Sequence, residues 1–367
     1  MLLEWMKRQV SRKSPGKLDS VQVMRAMAAL AVCFSHILHE ISLHMQPGKA
    51  FEIFRVVPWE MGVDLFFIIS GFIMMYTSRN KFGNAGAPRE FIIRRLLRIV
   101  PPYWFFTTLM VIATLTMASH LDTAIFTPGH ALLSYFFIPH LDPLNAHKIN
   151  PILGVGWTLI YEMFFYCAFS VALFWKPQVG LSALLVFFGA LFAAASQGLF
   201  SPALNILWSN SIMFCFLLGI LVYLMLDKKE SIPLSHAVLL SAFGLTSILA
   251  AHIFGLETLR IFRTGMPALI IFVLLYRLPM RFLPGLGLMV LVGDASYTLY
   301  LSHPFTLEVA KLILNRVPYL QLWPTVYIVV YALASALATT ATAVVFYLAC
   351  EKPVASYLQR KIVKRQV

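Results

Sequence analysis

The chain has 367 residues, of which 59% are hydrophobic and only 12% charged. A water-soluble domain carries about 25% charged and about 45–50% apolar residues, so the composition excludes an ordinary soluble fold. A formal net charge of +13 would suit nucleic acid, but the basic residues cluster at the ends of apolar runs and form no basic domain interleaved with aromatics, so no nucleic-acid partner is expected.

Apolar runs of about 18 or more residues recur along the chain, continuous rather than alternating, which argues for membrane-crossing helices and against a β-barrel. Ten spans are predicted, at roughly 21–41, 58–77, 98–118, 155–175, 179–197, 204–226, 233–254, 264–280, 286–313 and 324–349. The basic stretch from Lys7 to Lys17 before the first run looks like the start of a signal peptide. No small-residue cleavage site follows, so this run is read as an uncleaved helix. Within it, "VMRAMAALAVCFSHI" carries Arg25 and His36 eleven positions apart. Eleven helical steps are about three turns, which puts both side chains on one face roughly 16 Å apart. His36, His39, Glu40 and His44 follow at helical spacing, but "HEISLH" has one residue too many for the H-E-x-x-H zinc motif, and no metal is expected.

Span two opens with "WEMGVDLFFIISGF", which sets Asp64 about 9 Å in from its outer edge. Arg94, Arg95 and Arg98 lead into span three. The short run "ALLSYFFIP" (131–139) is predicted to be re-entrant or interfacial, within a long loop, 119–154, that reads as an outer lid. Span four opens with "GWTLIYEMFFY" and places Glu162 about 10 Å in. Span nine is long enough to be tilted or broken and carries His303 in its outer half. Cys33, Cys167, Cys215 and Cys350 lie in apolar runs at irregular spacing and are expected to be small buried residues, not disulfide or metal ligands.

Most Lys and Arg residues fall on one side when ten spans are threaded: Lys7, Arg8, Arg12, Lys13 and Lys17 in the N-terminal tail, Arg79 to Arg98 after span two, Lys176, Lys228, Lys229, Arg277 and Arg281 in the later loops, and Lys352, Arg360, Lys361, Lys364 and Arg365 at the end. Lys49, Arg55, Lys148, Arg260, Arg263, Lys311 and Arg316 are left for the other. The positive-inside rule then puts both termini in the cytoplasm. The expected fold is all-α and polytopic, one membrane domain over 1–367 with no appended soluble domain. An ionisable side chain in a bilayer costs several kcal/mol and marks a functional site by default. His36, Asp64, Glu162 and His303 fall at similar depth in the outer half, whereas Arg25, Arg95 and Arg98 gather at the inner boundary. No Walker loop or G-x-S-x-G elbow occurs. Buried charge in ten spans also suits a secondary transporter, although no inverted repeat or pair of broken helices supports one.

Several segments together resemble the membrane-bound acyltransferase family 3, especially its exopolysaccharide and lipopolysaccharide O-acetyltransferase branch. They are "LDSVQVMRAMAALAVCFSH", "GVDLFFIISGFIM", "FIIRRLLRIVPPYW", "GWTLIYEMFFY", "GDASYTLYLSHP" and "EKPV", in this order along nearly the whole chain. The resemblance implies transfer of an acyl group, usually acetyl from cytoplasmic acetyl-CoA, to a hydroxyl of a glycan or lipid-linked sugar. It implies a bacterial inner membrane, acetyl-CoA as co-substrate with no bound cofactor, and polysaccharide-biosynthesis partners. The family's Arg–x10–His pair maps to Arg25 and His36, and its R-x-x-R to Arg95 and Arg98. Physical chemistry supports these roles. Arginines suit the phosphates of coenzyme A, and a sugar hydroxyl needs a base that works near neutral pH. His36 is therefore expected to be that base, with Arg25, Arg95 and Arg98 binding the donor. Glu162 is expected to support His36 or line the acceptor site, and Asp64 and His303 are supporting or acceptor-site candidates.

Overall fold

The computed structural model describes residues 17–44, 57–116, 125–226, 231–256, 258–279, 283–314, 316, 324–358 and 360–361. Lys7, Arg8, Arg12, Lys13, Lys49, Arg55, Lys228, Lys229, Arg281, Lys364 and Arg365, residues 119–124 of the long loop, and the side chains of Lys17 and His44 lie outside them. The described residues fold as α-helices joined by turns, with an isolated bridge between Asp142 and Asn145. In chain order the helices are α1 (Lys17–His44), α2 (Met61–Ser78), α3 (Ala87–Thr116), α4 (Pro128–Tyr135), α5 (Trp157–Ala172), α6 (Pro177–Ser196), α7 (Pro202–Trp208), α8 (Met213–Leu224), α9 (Leu234–Ile253), α10 (Met266–Arg277), α11 (Leu286–Asp294), α12 (Ser296–Leu314), α13 (Pro324–Phe346) and α14 (Lys352–Leu358).

Among the described residues, eight helical stretches are long and apolar enough to cross a membrane: Asp19–Leu43, Met61–Ser78, Ala87–Thr116, Gly154–Ala172, Pro177–Ser196, Pro202–Leu224, Leu234–Ile253 and Thr325–Leu358. Helix α6 leaves Leu185, Val186 and Phe187 exposed, and α9 leaves Leu239, Phe243, Leu245 and Leu249 exposed. Continuous apolar surface of this kind is unfavourable against water and ordinary against lipid tails. The chain is an all-α polytopic membrane protein.

The other two predicted spans take a different form. The stretch 264–280 becomes the 12-residue α10, preceded by a π turn over Ile261–Gly265. Twelve residues rise only about 18 Å against a hydrocarbon core of about 30 Å. The stretch 286–313 becomes α11 and α12, separated at Ala295. The Ala295 amide still donates to Leu291 and its carbonyl still accepts from Leu299, so the helices meet at a bend. Span six is also divided, into α7 and α8. Helix α4 has eight residues, opens with Pro128 at its start and is capped by the Thr127 side chain, which accepts from the His130 amide. At about 12 Å it is far short of a crossing. Two of the four cysteines, Cys33 and Cys215, are buried as expected; Cys167 and Cys350 are exposed, on helix faces turned away from the protein interior.

The chain divides into two compact units. Unit 1 holds 1–69, 224–258 and 262–351; unit 2 holds 70–223, 259–261 and 352–367. The core of unit 1 is mostly aliphatic and built on α1, α11, α12 and α13. Ala26, Ala29, Cys33, Ile37 and Ile41 form the buried stripe of α1 at helical spacing, packed with Val292, Leu299, Leu307, Tyr331 and Val344. Small residues let these backbones approach closely: a Cβ on Gly293 of α11 would lie 2.0 Å from the Gln22 carbonyl oxygen of α1. Unit 2 is packed with aromatics. Phe165 of α5 stacks on Phe216 of α8 at 4.1 Å between centroids and on Phe188 of α6 at 5.2 Å, and Phe91 of α3 meets Phe169 at 5.2 Å.

Candidate active site

In unit 1, Arg25 and His36 both reach α12. The Arg25 guanidinium donates twice to the Ser296 hydroxyl, from Nε at 3.1 Å and from Nη2 at 2.9 Å. This serine opens α12 directly after the bend at Ala295, so the break in the helix sets the arginine's partner. Further along, the His36 ring packs against the His303 ring with centroids 4.8 Å apart and planes inclined by 50°. The sequence-level candidates His36 and His303 are thus brought together.

The two rings differ sharply in surroundings. His36 is exposed, whereas His303 is fully buried. Neither ring nitrogen of His303 has a hydrogen-bond partner among the described residues. Its polar neighbours are the His36 ring and the backbone of Leu299 and Tyr300. Pro304 follows within the helix and, lacking an N–H, withdraws the donor that the Tyr300 carbonyl would otherwise receive. Buried polar groups are nearly always paired, and unpaired ones concentrate where function needs them. Asp64 is fully buried in the first turn of α2, at the positive end of the helix dipole, which favours an anion.

In unit 2, Arg95 lies against two rings, with its Cζ 5.2 Å from the centroid of Tyr166 and 5.3 Å from that of Phe91. Arg98 lies near it on the same helix. Just beyond, Pro101 and Pro102 interrupt α3 and remove the donors for the carbonyls of Leu97 and Arg98. Arg94 points elsewhere and pairs with Glu90 at 2.8 Å. Glu162, on α5, accepts from the Tyr166 hydroxyl and from Ser70 Oγ, the latter at 3.4 Å. Its described partners therefore tie Glu162 to Tyr166, which carries Arg95. His36 belongs to the other unit.

Residues 125–156, also in unit 2, form a folded segment. The Tyr103 hydroxyl of α3 donates to the Ser134 carbonyl at 2.9 Å, and the Ile152 amide donates to Ser134 Oγ at 2.9 Å. The His140 Nδ1 lies 2.8 Å from the Ile138 carbonyl and its Nε2 lies 2.8 Å from His130 Nδ1. A carbonyl only accepts, so a neutral His140 donates from Nδ1 and accepts from His130 at Nε2. Burial and the neighbouring His140 push the His130 pKa down, with Asp142 opposing.

Sequence reasoning passed over Ser296, Ser70 and Tyr166. Tyr166 was findable, because it stands four residues after Glu162 and shares its helical face. Ser296 and Ser70 were not, since a serine gains a role only from what the fold sets against it.

The model of the acyltransferase domain family, acyltransferase family 3, matches residues 18–347. This chain belongs to that family. The acyltransferase is also 33% identical over 248 residues, 68% of its own length and 76% of the relative's, to the exopolysaccharide production protein ExoZ of Rhizobium meliloti (strain 1021). No solved structure matches the acyltransferase significantly. The family match runs through both units and includes Arg25, His36, Asp64, Arg95, Arg98, Glu162 and His303. It decides between the two readings of a polar-lined helical membrane protein: the chain is an acyl-transferring enzyme rather than a carrier.

Proposed function

We propose that this enzyme is an O-acyltransferase of a bacterial inner membrane, with both termini cytoplasmic, that moves an acetyl group from cytoplasmic acetyl-CoA to a hydroxyl of a cell-surface or lipid-linked glycan in exopolysaccharide production. The observation that carries this reading is the exposed His36 ring set against a buried His303 whose nitrogens have no partner among the described residues, on the same face of α1 as Arg25. His36 takes the proton of the acceptor hydroxyl as its oxygen attacks the thioester carbonyl. The C–S bond breaks, the ester forms, and the proton passes from the imidazolium to the departing coenzyme A thiolate. His303 fixes the orientation of His36 and Asp64 supports the same region. Arg25, held by Ser296, and Arg95 with Arg98 bind the donor's phosphates. No bound cofactor is needed. The donor, the glycan acceptor, the bilayer and neighbouring polysaccharide-synthesis enzymes are the partners.

The test is label transfer. Purified enzyme in nanodiscs is given acetyl-CoA labelled in the acetyl group together with crude cell-envelope glycan. Label in base-labile ester on the glycan supports the reading. Donor left intact with every glycan fraction, or label transferred from a donor other than acyl-CoA, contradicts it.

A further inference from the structure

We propose that Tyr166 is a positioning residue for the donor site, its phenol anchored by Glu162 and Ser70 so that its ring holds the Arg95 guanidinium ready for a coenzyme A phosphate. The proposal rests on the reading that Arg95 binds the donor.

Tyr166 is buried, and a buried phenol needs a partner for its hydroxyl. It has two: it donates to Glu162, and Ser70 Oγ lies 3.3 Å away. Ser70 in turn donates to the same carboxylate oxygen of Glu162. Three side chains from α2 and α5 thus close a small triangle that fixes the ring. Phe91 abuts that ring edge-on, at 6.0 Å between centroids and 88°, so the Arg95 guanidinium sits in a corner between two aromatic faces. Rings on two sides restrict the guanidinium, and a guanidinium recognises a phosphate through its N–H fork. The nearby Glu162 carboxylate also attracts Arg95. This accounts for an acid within an apolar span, which costs energy unless it has work and partners there.

A double-mutant cycle on the full-length purified protein tests this, with coenzyme A as the probe and affinity read by calorimetry. Arg95→Ala is expected to weaken coenzyme A by about 30-fold. Tyr166→Leu, which removes ring and hydroxyl, is expected to weaken it by about tenfold, and Tyr166→Phe, which keeps the ring, by about threefold. The Arg95→Ala/Tyr166→Leu variant is expected to bind no more weakly than Arg95→Ala alone. A purely structural role would instead make the two losses multiply. Wild-type affinity in both Tyr166 variants, or multiplicative losses, overturns the proposal while leaving the donor-site reading standing. Wild-type affinity in Arg95→Ala overturns both. If Tyr166→Leu does not fold, the same cycle is read with Tyr166→Phe.

Discussion

The two units treat buried polarity in opposite ways. Unit 1 packs small aliphatic residues at close backbone spacing and sets two imidazoles against each other, one exposed and one buried with both nitrogens unpaired among the described residues. Unit 2 packs aromatics, and the polar groups at its centre answer one another: Glu162 receives Tyr166 and Ser70, and Arg95 rests on two rings. A group engaged on all sides is suited to holding a shape, and a group left open is suited to reacting. On the proposed function, proton transfer falls to unit 1 and donor recognition chiefly to unit 2.

The comparison can be broken at four points, taken from the largest effect down. A Cβ at Gly293 meets the Gln22 carbonyl of a packed helix at 2.0 Å, and no side-chain adjustment relieves a clash with backbone. Gly293→Val should therefore abolish the monodisperse folded protein in detergent, seen as loss of the main peak in size-exclusion chromatography. His303→Phe keeps a ring of similar bulk and removes both nitrogens. It should lower kcat by about tenfold with the donor KM unchanged, since support of a catalytic base is worth a fraction of the base itself. An equal rise in donor KM would assign His303 to binding instead. Ser296→Ala removes the acceptor of the two hydrogen bonds that Arg25 donates to α12 while keeping the charge, and should raise the donor KM by about threefold. The smallest effect is local and depends on pH. The His130 pKa is pushed below its ordinary value of 6.5 by burial and by His140, so folding favours the neutral ring. The stabilisation is complete above about pH 6.5 and is lost as pH falls through the lowered value. Hydrogen exchange over 125–153, corrected for intrinsic rate, should speed up on going from pH 7.5 to 5.5, and His130→Phe, which removes the titrating ring, should flatten that dependence.

Much of this was legible from the residues. Helical class and membrane habit follow from long apolar runs, and the helical repeat put Arg25 and His36 on the face that meets α12. The acid at Glu162 drew attention for a sound reason, because charge in lipid is costly. What the sequence could not supply was partnership. Matched depth drew Glu162 towards His36 or the acceptor site, but depth does not show the contacts with Ser70 and Tyr166, which helix register sets. The length of 286–313 pointed to a tilted or broken span, but the apolar run does not show that the break falls at Ala295 and sets Ser296 against Arg25.

The central claim is that His36 is the base. The direct measurement is acetyl transfer from acetyl-CoA to envelope glycan by purified His36→Ala enzyme, shown to be folded by its chromatographic profile and to bind coenzyme A as the wild type does. The account predicts that transfer falls by about 10³-fold, within the range for loss of a general base, while coenzyme A affinity changes little. Transfer at the wild-type rate in that variant would contradict it.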